Sequence, residues 1–284
     1  MRARILRRRK LGRTSCRGIA AASETGIRSV RNDTKVNADL VFRWGCTSNV
    51  DCDTVVNRAR AIHLVNDKLG FRKLMDEEDL CPATWTDVEE IPLEYYEKGI
   101  VVRPATHSRG RNFYVSYQPE EVEARLIDWE GYASPLIDKL MEFRVFVVQG
   151  RVACVAIKTP ANPREVAWNV ANGGRFDVVS WDNWPLKAVR YSIEAFNLSG
   201  LDFGGVDVMV DAQGQPYVLE INSAPSLTSP YRQACMAKCF DYIVLNGKKH
   251  IPLIEERGGY TKFIHPAVCD RAKLNEDMPI AAGG

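Results

Sequence analysis

At 284 residues, with 45% hydrophobic and 26% charged side chains, the chain can bury either one large core or two to three lobes around a cleft. It has no apolar run near the roughly 18 residues of a membrane span and none of the low-hydrophobicity balance of a disordered chain, so a soluble protein without a membrane partner is expected. The formal net charge of +2 hides an asymmetry, because six of the first ten residues, MRARILRRRK, are basic and none is acidic.

That basic run suits a solvated helix face beside the first strand, contact with nucleic-acid phosphates, or an organelle transit peptide. Residues 18–24 are Ala-rich and helix-like, and Ala38–Trp44 (ADLVFRW) has the apolar pattern of a strand ending at Gly45. Together, the residues to about Asn66 form a small α/β segment. Val55–Leu69 and Phe71–Glu77 carry helical periodicity and stop before Cys81-Pro82, and Ile91-Pro92 marks a further loop.

Gly99–Arg103 (GIVVR) is expected as a short buried strand, followed by the polar loop Pro104–Asn112 and a second strand, Phe113–Tyr117. A strand, loop and strand in that order is what a phosphate-covering flap needs. Glu120–Trp129 is helix-like, Glu142–Lys158 is patterned as a hairpin turning at Gln149-Gly150, and residues 185–199 form a helix ending near Gly200. After Gly205–Asn222 a helix is expected over about 230–245, and the tail from Gly247 is rich in Gly, Pro and charge, as in extended or mobile segments. Eight cysteines (16, 46, 52, 81, 154, 235, 239 and 269) show no CxxC spacing, so reduced thiols in a cytoplasm are the simplest account. Cys235 and Cys239 are better explained by packing than by a metal.

The segment Gly205–Asn222, GVDVMVDAQGQPYVLEIN, contains two strands of period 2 joined by the turn residues Ala212–Gln215. A turn centred between Gln213 and Gly214 places Asp207 opposite Glu220, with Cβ atoms about 4.5–5.5 Å apart. Like charges so placed repel unless a cation offsets them. Asn222 shares their face, while Val206, Val208, Leu219 and Ile221 face a core. Two carboxylates and an amide oxygen suit Mg²⁺, with phosphate or water completing the shell; an acidic, solvated hairpin face is the competing explanation, and spacing alone leaves both open.

GVDVMVDAQGQPYVLEINSAPSLTS resembles the closing signature of ATP-grasp ligases, the family of D-alanyl-D-alanine ligase and the ribosomal-protein glutamate ligases. In that pattern an Asp, a Glu thirteen residues on and an Asn two further bind Mg²⁺, and Asp207, Glu220 and Asn222 match it. Other motifs follow in the family's order over roughly residues 55–245. NRARAIHLVNDK (57–68) with CPAT (81–84) resembles the stretch preceding the ATP lobe, which implies that Lys68 approaches ATP. GIVVRPATHSRGRN resembles the strand and loop over the β- and γ-phosphates, with Arg103 where a lysine is usual, and with Ser108, Arg109, Gly110 and Arg111 as the cradle. LIDKLMEFRVFVV resembles the hinge that holds adenine and ribose, which places Leu136, Ile137, Asp138 and Lys139 along adenine and Glu142 at the ribose. Lys158 takes the place of a basic residue on the phosphates. WNVANGGRF (168–176) resembles the loop near the transferred phosphoryl group, which implies catalytic roles for Arg175 and Asn172 beside Lys158.

The resemblance implies an α+β (α/β) ATP-grasp fold, in which two α/β lobes clasp ATP behind a short α/β N-terminal lobe. The expected boundaries are 1–66 for the N-terminal, substrate-side lobe, 67–139 for the lobe with the phosphate loop, 140–246 for the lobe with the metal site, and 247–284 for the tail. KLGRTSCRG and FRWG look most like ATP-grasp proteins of tailed bacteriophages, for which the compartment would be the host cytoplasm. The implied reaction joins a small-molecule or peptide carboxylate to an amine (less often a thiol) through an acyl phosphate, with ATP and Mg²⁺ as cofactors and Mn²⁺ as a substitute. Two rival outcomes are a kinase of the same fold that releases a phosphorylated product, and a nucleic-acid- or virion-associated protein that keeps the nucleotide fold without turnover.

Overall fold

A computed structural model describes residues 1–106, 113–162, 166, 168 and 173–249. Three sheets organise them. The first contains β1 (Ala3–Arg7), β2 (Arg28–Arg31), β3 (Leu40–Trp44) and β4 (Thr54–Val56), all parallel in the order β2-β1-β3-β4. The basic run is therefore not a helix face: its first half is an inner strand, and Arg7 is buried, donating to Ser29 Oγ and to the carbonyls of Arg8 and Arg9. Arg8, Arg9 and Lys10 lie exposed on the loop that follows. Helix α1 (Arg13–Ala22) starts at Gly12, whose φ of 71° sets its backbone against the Trp44 ring. A Cβ there would stand 2.5 Å from Trp44 Cδ1.

The central sheet is antiparallel, with the order β10-β9-β8-β11-β12. It comprises β8 (Lys139–Val148), β9 (Arg151–Thr159), β10 (Arg175–Val178), β11 (Phe203–Asp211) and β12 (Pro216–Asn222). Gln149 and Gly150 join β8 to β9 with φ of 49° and 71°, the left-handed pair that a two-residue hairpin turn requires. Alternation splits the side chains of this sheet. Phe143, Val145, Val155, Val206 and Val208 pack on α2 (Ala59–Asn66), α3 (Lys68–Asp76) and α6 (Leu186–Ser199), which ends at the left-handed Gly200. On the opposite face, Phe146, Cys154, Ala156 and Phe203 meet the first sheet, α1 and α7 (Pro230–Asn246).

The third sheet, β6-β5-β7, is small: β5 (Ile100–Arg103) lies between β6 (Tyr114–Ser116) and β7 (Tyr132–Pro135). Helices α4 (Glu94–Lys98) and α5 (Pro119–Trp129) cover its core of Ile100, Val102, Val122, Leu126 and Ala133. Pro119 at the first helical position and Glu120 and Glu121 in the first turn are the residues a helix N-terminus favours.

The expected boundary between residues 66 and 67 does not separate lobes. Ala61, Ile62, Val65, Phe71 and Met75 share one core under the central sheet, and only a change of direction at Asp67, which caps α3 by accepting from Gly70 N–H, divides the two helices. Val55 and Val56, expected to open a helix, lie instead in the edge strand β4. Seven cysteines among the described residues are free thiols, and Cys235 and Cys239 are buried in the core, in keeping with packing. No described helix is long and apolar enough to cross a membrane.

Candidate active site

Leu136, Ile137 and Asp138 are the linker from β7 to β8, and therefore the join between the small and central sheets. Leu136 N–H donates to Gly99 O at 2.8 Å, which ties that linker to the start of β5. Beyond the linker, the face of the central sheet shared by Glu142, Arg144, Lys158 and Asp207 carries ionisable groups where other strands carry apolar ones. The pairing Asp207↔Arg144↔Ala156, with Phe176↔Lys158 one step further along, aligns them across four strands.

Asp207 does lie opposite Glu220, but by another route than a uniform register. From the turn outward the pairs are Val210↔Pro216, Met209↔Tyr217 and Val208↔Val218, and then Leu219 is skipped so that Asp207 pairs with Glu220. Leu219 is thus the extra residue of a β-bulge. It is only half-buried, and Val218 holds the core position expected for it. The skipped carbonyl of Leu219 accepts from Arg72 Nη1, and Arg72 also donates to Thr84, Pro82 O and Ser134. One buried guanidinium therefore links the hairpin to the base of the small sheet.

Every acid in this row is matched by a cation. Arg144 Nε and Nη2 grip the two oxygens of Asp207 at 2.5 and 2.6 Å. Lys68 Nζ lies 3.3 Å from Glu220 Oε2, and Asn222 Nδ2 donates to Glu220 Oε1 at 2.9 Å. Glu142, buried, takes Lys139 on one oxygen at 2.7 Å and Lys158 on the other, and Lys158 Nζ stands 4.0 Å from Asp207. Burial would raise the Glu220 carboxyl, but Lys68, the Asn222 amide and Arg144 together hold it well below the usual carboxylate range. Burial lowers the Lys139 ammonium, Glu142 opposes that, and Lys158 and Arg103 add to it. For Arg144 burial pulls downward, yet Asp207 prevails and the guanidinium is held above its ordinary value.

The structure thus brings Lys68, Lys139, Glu142, Lys158, Asp207, Glu220 and Asn222 together, with the charge of Arg103 felt at Lys139. Lys139 also donates to Val166 O and lies 4.3 Å from the Trp168 ring centre. Arg175 is not brought in. Its side chain is 73% exposed and pairs with Asp177, and alternation in β10 puts it on the face opposite its neighbour Phe176, which packs toward the ionisable row. Ser108, Arg109, Gly110, Arg111 and Asn172 lie outside the described residues. Two side chains escaped sequence reasoning. Arg144 had a signal, being two residues from Glu142 in an otherwise apolar strand and so on the same face; Arg232 sits on the stripe of α7 that Cys235, Met236, Cys239 and Phe240 bury, a cation at an apolar helical position.

Among the described residues no group of three or more His, Cys, Asp or Glu is arranged to hold a metal ion. Two carboxylates and an amide are what this site offers, and these hard oxygen donors fit Mg²⁺, which keeps several ligands from water and phosphate. Arg144 and Lys68 now supply the positive charge that makes opposed acids tolerable.

Residues 122–237 match the RimK-like ATP-grasp domain. A probable alpha-L-glutamate ligase 2 of Hahella chejuensis is 34% identical over 112 residues, 37% of this chain and 35% of that one. A probable alpha-L-glutamate ligase of Aeromonas salmonicida is 35% identical over 86 residues, 30% of this chain and 27% of its own. The chain therefore spans about a third or less of these curated relatives. In solved structures the likeness is to the whole fold: the D-alanine–D-alanine ligase of Bacillus anthracis complexed with ATP superposes with a TM-score of 0.60 at 16% identity, covering 87% of this chain and 96% of that one. The ATP-grasp ligase PsnB complexed with minimal precursor gives 0.60 at 14% identity over 85% and 98%. The macrocyclase MdnC bound with precursor peptide MdnA, from Microcystis aeruginosa, gives 0.59 at 14% over 84% and 98%.

Proposed function

We propose that this ATP-grasp protein is an ADP-forming ligase that uses ATP and Mg²⁺ to join a carboxylate to an amine, on amino-acid or peptide substrates, through an acyl phosphate. The observation that carries the reading is the ionisable row itself. Asp207, Glu220 and Asn222 supply hard oxygen donors, and around them, among the described residues, lie more cations than acids: Lys68, Lys139, Arg144, Lys158 and Arg232 against Glu142, Asp177, Asp207 and Glu220. A surplus of positive charge in a partly buried cleft suits a polyanion such as a nucleoside triphosphate.

In this reading the nucleotide lies between the small and central sheets, with adenine along Leu136–Lys139 and the ribose hydroxyls toward Glu142. Lys158 and Arg103 meet phosphate oxygens as point charge and planar fork. Asp207, Glu220 and Asn222 would hold Mg²⁺, which when bound neutralises phosphate charge. Positioning and charge balance account for most of what the protein must do in phosphoryl transfer, and no side chain need become covalently bonded. The likeness to probable alpha-L-glutamate ligases and to a macrocyclase bound with a precursor peptide supports an acid and an amine as the joined groups.

The test is phosphate release from ATP and Mg²⁺ over a panel of amino acids and peptides, with mass analysis of products. A product whose mass equals that of acid plus amine less one water is expected. A phosphorylated product accumulating without amine would identify a kinase instead. Glu220→Gln should abolish turnover with the far-ultraviolet spectrum unchanged; full turnover in that variant would remove the site assignment.

A further inference from the structure

Three cations surround one aromatic ring. The charged ends of Arg144, Lys158 and Arg232 lie 4.6, 5.5 and 5.4 Å from the centre of Phe176. Arg144 is neutralised by Asp207 and Lys158 by Glu142. Arg232 is 2% exposed, and its Nε and Nη1 are buried without a hydrogen-bond partner among the described residues. Asp177, the acid whose charge reaches it, accepts instead from Arg175 and Thr159.

A buried guanidinium with unsatisfied donors and no ion pair among the described residues is costly, and its position makes it more so. Arg232 stands in the first turn of α7, where no acid is present and Ser229 makes no side-chain cap. A cation there opposes the positive end of the helix dipole. The faces of Phe146 and Phe176, at 5.9 and 5.4 Å, return only part of the lost solvation. Burial depresses the guanidinium below its ordinary range, Cys154 opposes this, and Arg144 adds to it. An anion at this point would satisfy the free N–H groups, the helix end and the like charge of Arg144 together.

We infer that Arg232 is an oxyanion-binding residue, taking a carboxylate or phosphoryl oxygen that enters beside Phe176 next to Arg144. The source of that anion, the acid substrate or the phosphoryl group passed to it, rests on the ligase reading; the anion site does not. Arg232 would then fix where the acid is activated, since it is rooted in α7 rather than in the nucleotide-binding strands.

The full chain is unfolded thermally in inorganic phosphate and in chloride of equal ionic strength, without nucleotide. Wild type should melt higher in phosphate, and Arg232→Met should weaken the apparent phosphate affinity by at least about tenfold, the scale of a charged hydrogen bond, while melting no lower than wild type in chloride. Arg232→Lys should keep part of the increment, and it carries the test if the methionine variant does not fold. Retention of the full increment by the variant overturns the inference, as does a wild type indifferent to phosphate; Arg232 is then a packing residue. Repeating the titration with a non-hydrolysable ATP analogue separates the sources: an increment that persists assigns the site to the substrate carboxylate, and one that disappears assigns it to the γ-phosphoryl group. A wild type that binds no ATP would end the ligase reading and leave the phosphate comparison intact.

Discussion

Arg144 holds Asp207 through two parallel hydrogen bonds of 2.5 and 2.6 Å, from the neighbouring strand and on the same face of the sheet. The side chains are 11% and 5% exposed, so neither charge can be satisfied by water if the other is removed. Asp207→Asn should therefore cost about 3–5 kcal/mol, the range for breaking a buried pair on one side. The joint replacement Asp207→Leu with Arg144→Met should recover most of that loss. Urea unfolding of the two variants beside wild type measures it, and a double variant no more stable than Asp207→Asn would refute the account. ATP turnover should be absent from both variants, which separates what the pair does for the fold from what Asp207 is proposed to do for the site.

Lys68 and Glu220 give a pH-dependent counterpart. The Glu220 carboxyl is depressed in the folded chain, so its contribution is present above the unfolded value of about 4.3 and lost as pH falls through the lower folded value. Lys68→Met removes the leading cause of that depression. The stability gap between wild type and Lys68→Met should be largest near pH 7, on the order of 1 kcal/mol at most for a pair this exposed, and should shrink below pH 4. Denaturant titrations at pH 7 and pH 3.5 check the sign; a gap that widens in acid contradicts it.

Glu142 has two lysines, and this redundancy predicts non-additivity. In Lys139→Met the Lys158 ammonium still faces the carboxylate, and in Lys158→Met the Lys139 ammonium does. Each single change should cost about 1–2 kcal/mol, whereas the double change leaves a buried carboxylate alone and should exceed the sum of the singles by about 1–3 kcal/mol. Simple additivity in a double-mutant cycle would mean that Glu142 finds another partner or takes up a proton.

Those pairs also show how far the sequence could be read. Period-2 patterning was enough to place Asp207 against Glu220, yet the turn is centred one half-step earlier than the composition of Ala212–Gln215 suggested, and the bulge at Leu219 restores the pairing. Two offsets cancelled. A bulge leaves no mark in hydrophobic alternation when the extra residue is itself apolar, as Leu219 is. The Gln149-Gly150 turn, by contrast, was legible because two successive left-handed residues demand that chemistry. The lobe boundary was not legible: α2 and α3 are amphipathic whichever sheet they cover, and only tertiary packing decides it. The basic N-terminus misled because Arg4 and Arg7 interrupt a short strand whose other residues, Ala3, Ile5 and Leu6, are the apolar ones, and burial of Arg7 depends on backbone carbonyls that composition does not reveal.

Arg175 offers the sharpest contrast between motif and geometry. Its place in WNVANGGRF suggested a charge beside the transferred phosphoryl group, whereas its side chain is largely exposed, bound to Asp177 two residues away, and alternates away from Phe176. An ion pair this exposed contributes little, so Arg175→Ala should change stability by no more than about 0.5 kcal/mol. Neither Arg175 nor Asp177 touches the row of Glu142, Lys158, Asp207 and Glu220, so ATP affinity, measured by titration calorimetry with Mg²⁺, should stay within about twofold, since a twofold change is well under 1 kcal/mol. Lys158→Ala should weaken the same binding by tenfold or more, the scale of a charge-assisted hydrogen bond, because Lys158 lies between Glu142 and Asp207 where phosphate oxygens are expected. If Arg175→Ala instead matched Lys158→Ala, β10 would have to turn over on binding nucleotide, carrying Arg175 to the opposite face and Phe176 out of the ring of cations it now occupies.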